Sequence, residues 1–301
     1  MDLEFKDEML IPQINGEVYF QIYEIENWLR RICLTAYMVQ FGTNWLQYIP
    51  NDVLNSFKSK AKRNEDFFYL DIDTNDNVIW AATHAELMKL ILNDTLSEKI
   101  KRLTGFTKST LFQKLDELRI IRNTLAHNHP LTSTTATIIK GTIASLFQGI
   151  KLFKERILYH PGRISQAANG IIAYFDKKME GNDWSKFQAY LSLDNGIYSL
   201  VCLPTPDRSA TYPRAHELIL FYKKVLDEIL AFTCNKDGDE YCILFPEATD
   251  DMIKKNIIDV FIRSRNESIG IWTNTRFEEQ NPKYVCNPKI WFYENQRPLE
   301  E

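Results

Sequence analysis

Arginine and histidine stand five positions apart in the hexapeptide Arg122-Asn123-Thr124-Leu125-Ala126-His127. Arginine presents a planar fork of donors that fits a phosphate, and histidine exchanges protons near neutral pH. These are the groups that cutting RNA without a metal requires. RNA carries its own nucleophile, the 2′-hydroxyl. The protein has only to take that proton, stabilise charge on the phosphate and help the 5′-oxygen leave. His127 is the candidate acid or base, and Arg122 is the candidate grip on the phosphate. Asn123 precedes His127 by one helical turn and faces the same way, so it can orient the imidazole or bond a phosphate oxygen.

The spacing sets a geometric condition. Five residues rotate a helix by about 140° net, so Arg122 and His127 do not share a face, whereas Arg119, Asn123 and His127 do. Either the helix unwinds just before Pro130, or a second subunit supplies partners across a twofold axis, where one patch meets its own copy. A histidine near a helix C-terminus also lies at the negative end of the dipole, which favours its protonated form.

The elements that must hold these residues read as helices. Apolar positions from Glu17 to Gln40 are dense enough for a long core helix, closed by Gly42 and Pro50. Asp52 to Arg63 reads as a short basic helix, and Phe67 to Trp80 as extended with a turn at Asp73 to Asn77. Thr83 can cap a helix from His84 to Leu92, with Glu86 completing a capping box. Ser97 starts a short basic helix that Gly105 ends. The helix bearing the hexapeptide runs from about Thr107 to His127, with Leu111, Leu115, Leu118, Ile121 and Leu125 as its apolar stripe. Pro130 disfavours helix at His129 and so ends it. A last helix covers Ser133 to Leu158. Its Gly141 and Gly149 mark either close helix packing or two loose spots.

At His160-Pro161-Gly162 the pattern breaks. Extended runs at Ile197 to Leu203, Tyr241 to Phe245, Ser268 to Trp272 and Lys289 to Tyr293 follow. Helical runs at Ile164 to Met179, Arg214 to Phe232 and Asp250 to Arg263 separate them, an alternation that predicts an α/β or α+β domain. The expected organisation is a helical bundle over residues 1–159 and a second domain over residues 160–301, with a regulatory, sensing or substrate-selecting role.

Charge adds a local signal. The net charge of −4 does not suggest a general nucleic-acid coat protein. Yet Ser97 to Arg122 holds seven basic residues against three acidic ones, and Asn51 to Arg63 holds four against one. A basic zone in an acidic chain can draw a polyanion to one place, with Lys99, Lys101 and Arg102 as candidate RNA contacts. A solvated helix face is the plainer reading of either segment alone. The five cysteines form no C-x-x-C pair, which argues against a disulfide framework or a zinc finger. With no signal peptide or apolar span in view, a cytoplasmic protein with reduced thiols is expected.

The hexapeptide resembles the signature of the HEPN superfamily (higher eukaryotes and prokaryotes nucleotide-binding), in which an Arg, often followed by Asn, precedes a His by a few positions. Glu26-Asn27-Trp28-Leu29-Arg30 resembles the acidic-then-basic pair that many of its members carry in the opening helix. Glu26 and Arg30 are also spaced for an intrahelical salt bridge. The resemblance covers roughly residues 15–158. It implies a metal-independent endoribonuclease with no cofactor, belonging to a bacterial antiviral defence or toxin–antitoxin system. It implies a homodimer through this half, an RNA substrate, and an antitoxin or activator as a further partner. Arg122, Asn123 and His127 would be catalytic, with Glu26, Arg30 and Arg119 in support. The alternative is a non-catalytic HEPN scaffold that binds nucleotide, RNA or a partner protein. A third reading puts the chemistry in the second half.

Other constellations are thinner. His127-Asn128-His129 reads as an H-x-H metal motif without a third ligand. His216-Glu217 lacks the second histidine of a zinc-protease helix. Asp239, Glu240 and Glu247 flank a strand without the lysine that a restriction-type nuclease core needs. No glycine-rich phosphate loop or G-x-S-x-G motif is present. The aromatic residues near Trp272, Trp291, Phe292 and Tyr293 suit a core better than a stacking platform.

Overall fold

A computed structural model describes residues 13–66, 78–127, 129–158, 170–180, 187–204, 228–235, 241–267 and 290–293. The chain divides into two compact units. One comprises Met1–Ala36 and Ile49–Arg156, and the other Tyr37–Tyr48 and Ile157–Glu301. A helical part is followed by one that mixes helices with a sheet. Among the described residues no helix is long and apolar enough to cross a membrane.

The first part is built from α1 (Gln13–Phe41), α2 (Asn51–Asp66), α3 (His84–Ile91), α4 (Ser97–Thr104), α5 (Lys108–Ala126) and α6 (Ser133–Leu158). Several boundaries follow from local chemistry. Thr83 accepts from the Glu86 N–H and Glu86 reaches back to the Thr83 N–H, the reciprocal capping box that starts α3. Thr107 caps α5 by accepting from Thr110 N–H. Gly105 ends α4 at φ 77°, a left-handed turn that suits glycine. The core of this unit is the apolar faces of the helices. Val18, Ile22, Ile25, Leu29 and Ile32 meet it from α1, Leu87 and Leu90 from α3, Leu111, Leu115 and Leu118 from α5, and Ile139, Ile143, Leu146 and Phe153 from α6. Each such side chain contributes about 1.5–3 kcal/mol through burial.

The two glycines of α6 turn out unlike. A Cβ at Gly149 would lie 2.1 Å from the Phe106 ring, while one at Gly141 meets nothing within 4 Å. Gly149→Ala is therefore expected to destabilise by about 1–3 kcal/mol through overpacking. Gly141→Ala is expected to stabilise by about 0.5–1 kcal/mol through helix propensity. Denaturant midpoints of the two variants decide this, and equal shifts of one sign would refute it.

The second part contains α7 (Gly170–Met179), α8 (Asp251–Glu267) and strands β1 (Phe187–Asp194), β2 (Ile197–Pro204), β3 (Ala231–Asn235), β4 (Tyr241–Pro246) and β5 (Ile290–Tyr293). The sheet order is β1-β2-β4-β3-β5. Among the described residues only the β3–β5 pair is parallel. Ile171 and Phe175 of α7 and Ile257, Ile258 and Phe261 of α8 form one core with Leu200, Phe232, Ile243 and Phe245 of the sheet. Every residue of β4 is buried, so both faces of the sheet are covered there. Asn195 and Gly196 both have positive φ and join β1 to β2 in a two-residue hairpin. The end of α1 and the segment after it, Tyr37–Tyr48, belong with this unit by close packing. A Cβ on Gly42 (φ 62°) would sit 2.6 Å from the Ala248 carbonyl, and one on Gly196 3.2 Å from Val39.

Three expectations change. Strand β1 was not foreseen. The predicted helical run Arg214 to Phe232 ends instead in β3, where Phe232 is drawn into register with Ile243 and Ile290; residues 214–227 lie outside the described residues. Val78 to Trp80 form a turn rather than an extended stretch, anchored by the buried Val78 and Ile79. Residues 67–77, 164–169 and Ser268 to Trp272 also lie outside the described residues. Cys33, Cys202 and Cys242 are buried. Burial pushes Cys33 and Cys242 well above the ordinary thiol range.

Candidate functional site

The site begins with a carboxylate where an apolar residue would be expected. Glu26 shares the inner face of α1 with Ile22 and Leu29 and is 6% exposed. A charge in such a place must be paired. Three elements provide partners. His84 of α3 sets Nδ1 2.9 Å from Glu26 Oε1. Arg122 of α5 sets Nε 3.0 Å from the same oxygen. Arg30, one turn along α1, places Nη2 3.6 Å from Oε2, an ion pair longer than a hydrogen bond. Arg30 is fixed in turn by donating to Asn27 Oδ1 and to the Ala82 carbonyl.

The electrostatics follow from the geometry. Burial by itself would raise the pKa of Glu26. The hydrogen bond and charge of His84, with the charges of Arg30 and Arg122, overcome this and hold it below the ordinary glutamate range. Burial lowers the pKa of Arg30, against the pull of Glu26. The result is an anionic hub beneath cationic groups.

Arg122 is the member that reaches outward. Its side chain is 39% exposed, against 8% for Glu26. The ion pair runs through Nε, and among the described residues no hydrogen bond engages its Nη groups. A guanidinium held by its stem side keeps its forked end for an incoming anion.

His127 is the C-cap of α5, with its N–H donating to the Asn123 carbonyl. Its ring is exposed and stands 6.5 Å from that of His129, centroid to centroid. Asn123 is exposed as well. The loop beyond is held from α1. The buried Asn15 donates to the His129 carbonyl and accepts from the Leu131 N–H, clasping the chain on both sides of Pro130.

Of the residues singled out in the sequence, the structure therefore joins Glu26, Arg30 and Arg122 in one cluster. Asn123 and His127 lie at the exposed end of the same helix, outside that cluster. Arg119 pairs with Asp116 of its own helix and does not reach Glu26. On α4, Lys101 and Arg102 are exposed and Lys99 is partly so. In the α2 segment Lys60 is tied to Glu86 at 2.6 Å. Among the described residues no group of three or more His, Cys, Asp or Glu side chains is placed to hold a metal ion.

His84 and Asn15 escaped the sequence reading. Yet His84 lies in the spacing His84, Leu87, Met88, Ile91, all buried on one face of α3. A histidine on an apolar stripe demands polar partners inside the fold. Nearby, Arg31 lies over Trp28 and Trp80 at 4.7 and 5.8 Å from the ring centres, and Lys154 lies over Trp28 at 4.1 Å. Burial pushes the Arg31 pKa down to about 10.

Comparison with protein-family models gives no match, and searches of curated proteins and of solved structures likewise give none.

Proposed function

We propose that the chain is a metal-independent endoribonuclease of the HEPN type. The observation that carries this reading is the state of Arg122. A buried carboxylate anchors its Nε, its side chain is 39% exposed, and an exposed histidine caps the same helix about 7.5 Å further along the axis.

In this reading RNA lies across the C-terminal end of α5. His127 takes the proton of a 2′-hydroxyl, and the freed oxygen attacks the adjacent phosphorus. The P–O5′ bond breaks and the 5′-oxygen departs with a proton from the imidazolium of a His127, leaving a 2′,3′-cyclic phosphate. Arg122 binds the phosphate and its developing charge. Asn123 orients the imidazole or bonds a phosphate oxygen. Lys99, Lys101 and Arg102 draw the RNA backbone to the helical unit. Because Arg122 and His127 point to different sides of α5, a homodimer that brings two hexapeptides into one cleft completes the centre. The second unit serves as a control module for a cytoplasmic defence or toxin effector.

The test is incubation of the purified chain with total RNA and tRNA in EDTA, followed by analysis of the ends. Cleavage with cyclic or 3′-phosphate ends is expected. Activity lost in EDTA and restored by a divalent ion would sink the metal-free mechanism. No cleavage under any condition would favour the non-catalytic scaffold.

A further inference from the structure

We propose that His84 is a positioning residue for Arg122, acting through Glu26 with both of its ring nitrogens protonated. The inference rests on the ribonuclease reading for its purpose, though not for its geometry. His84 Nε2 lies 3.1 Å from the Leu115 carbonyl of α5, and Nδ1 lies 2.9 Å from Glu26 Oε1. A carbonyl oxygen only accepts. A carboxylate flanked by two guanidinium groups is ionised and also only accepts. The ring therefore donates on both sides, which only the imidazolium can do. At 4% exposure it has no water to take over either bond.

One oxygen links His84 to Arg122. Glu26 Oε1 faces His84 Nδ1 at 2.9 Å and Arg122 Nε at 3.0 Å. The ring also grips the backbone of α5 two turns before Arg122. It thus fixes both the carboxylate that aims the guanidinium and the helix that carries it. Loss of either ring proton sets a nitrogen lone pair against an oxygen. The carboxylate then shifts or takes up a proton, and Arg122 loses its aim.

The charged groups around the ring are consistent with this assignment. Glu26 and Arg30 face it from α1, and Tyr23 lies in electrostatic reach of Arg30. Arg122 comes from α5. On its own helix, Glu86 is engaged by Lys60 of α2 and by Thr83, and Lys89 by Asp52. Neither of those pairs reaches the ring.

The experiment uses full-length protein carrying His127→Ala, which removes the candidate acid or base, and 2′-O-methyl RNA, which has no free nucleophile. Binding is measured in one near-neutral buffer, beside 15N spectra of the His84 ring in the same buffer. We expect imidazolium signals in the buffer in which RNA binds. His84→Phe should weaken binding by about tenfold. His84→Gln keeps one donor and should restore part of the affinity. In an Arg122→Ala background His84→Phe should cost nothing more, an outcome that a merely structural role would not give. A neutral ring in the 15N spectrum, or additive losses in the double variant, would overturn the proposal. If no form binds RNA, the ribonuclease reading falls, and the Arg122 Nε–H resonance decides the inference. Displacement of that resonance in His84→Gln or His84→Phe upholds it, and an unmoved resonance rejects it.

Discussion

His127→Ala is expected to slow RNA cleavage by about 10²–10⁴-fold, the usual worth of a positioned acid or base. Its side chain is exposed at a helix C-cap, where a substitution costs stability about 0.5 kcal/mol or less, so the loss will lie in the chemical step. Arg122→Ala is expected to cost about 10²–10³-fold by removing charge stabilisation at the phosphate. Arg122→Lys retains the charge and loses the fork, so it should recover little. The double variant should be scarcely worse than the poorer single one, because the two groups act on one transition state. Rates on a defined RNA in EDTA measure all four. A His127→Ala protein that cuts at the parental rate would move the chemistry elsewhere.

The second large effect is on stability. Glu26→Ala leaves two guanidinium groups and a buried imidazole facing an uncharged gap. Removing one partner of a buried charge cluster costs about 3–5 kcal/mol, with the lower end apt here because Arg122 can turn to solvent. Glu26→Gln keeps the volume and should cost less. The same residue gives the helical unit an acid dependence of fixed sign. Its folded-state pKa is depressed, so its contribution is fully present above the ordinary glutamate range and is lost as pH falls through the folded value. Hydrogen exchange of the α1, α3 and α5 amides follows this unit directly. Unchanged protection in Glu26→Ala would show that the cluster contributes nothing to the fold.

The parts of the structure legible in the sequence are those that neighbours in the chain decide. The capping box of Thr83 and Glu86, the left-handed Gly105 and the Thr107 cap are local hydrogen-bonding devices, and each marks its helix end. Strand β1 had a local mark too. Asn195-Gly196 is the strongest short hairpin signal, and the alternation ahead of it was readable. The long apolar run around Phe232 could not be assigned by pattern, since a buried strand and a buried helix end look alike without their neighbours. The site shows the same divide. The hexapeptide and the spacing of Glu26 and Arg30 are visible in the chain. The meeting of Glu26 with His84 and Arg122 arises from how α1, α3 and α5 pack, which no local spacing encodes. Arg119 illustrates the reverse, since helical geometry groups it with Asn123 and His127 while Asp116 claims its guanidinium.

The three buried thiols have a practical consequence. Cys33 lies in the first unit, and Cys202 and Cys242 lie in the second. Shielded in this way, and with Cys33 and Cys242 also held as thiols rather than thiolates, they react with an alkylating reagent only when the surrounding structure opens. The chain therefore carries a built-in clock for each unit. Residue-resolved alkylation kinetics can time the opening of the helical unit and of the sheet-containing unit separately, in one sample and without an added label.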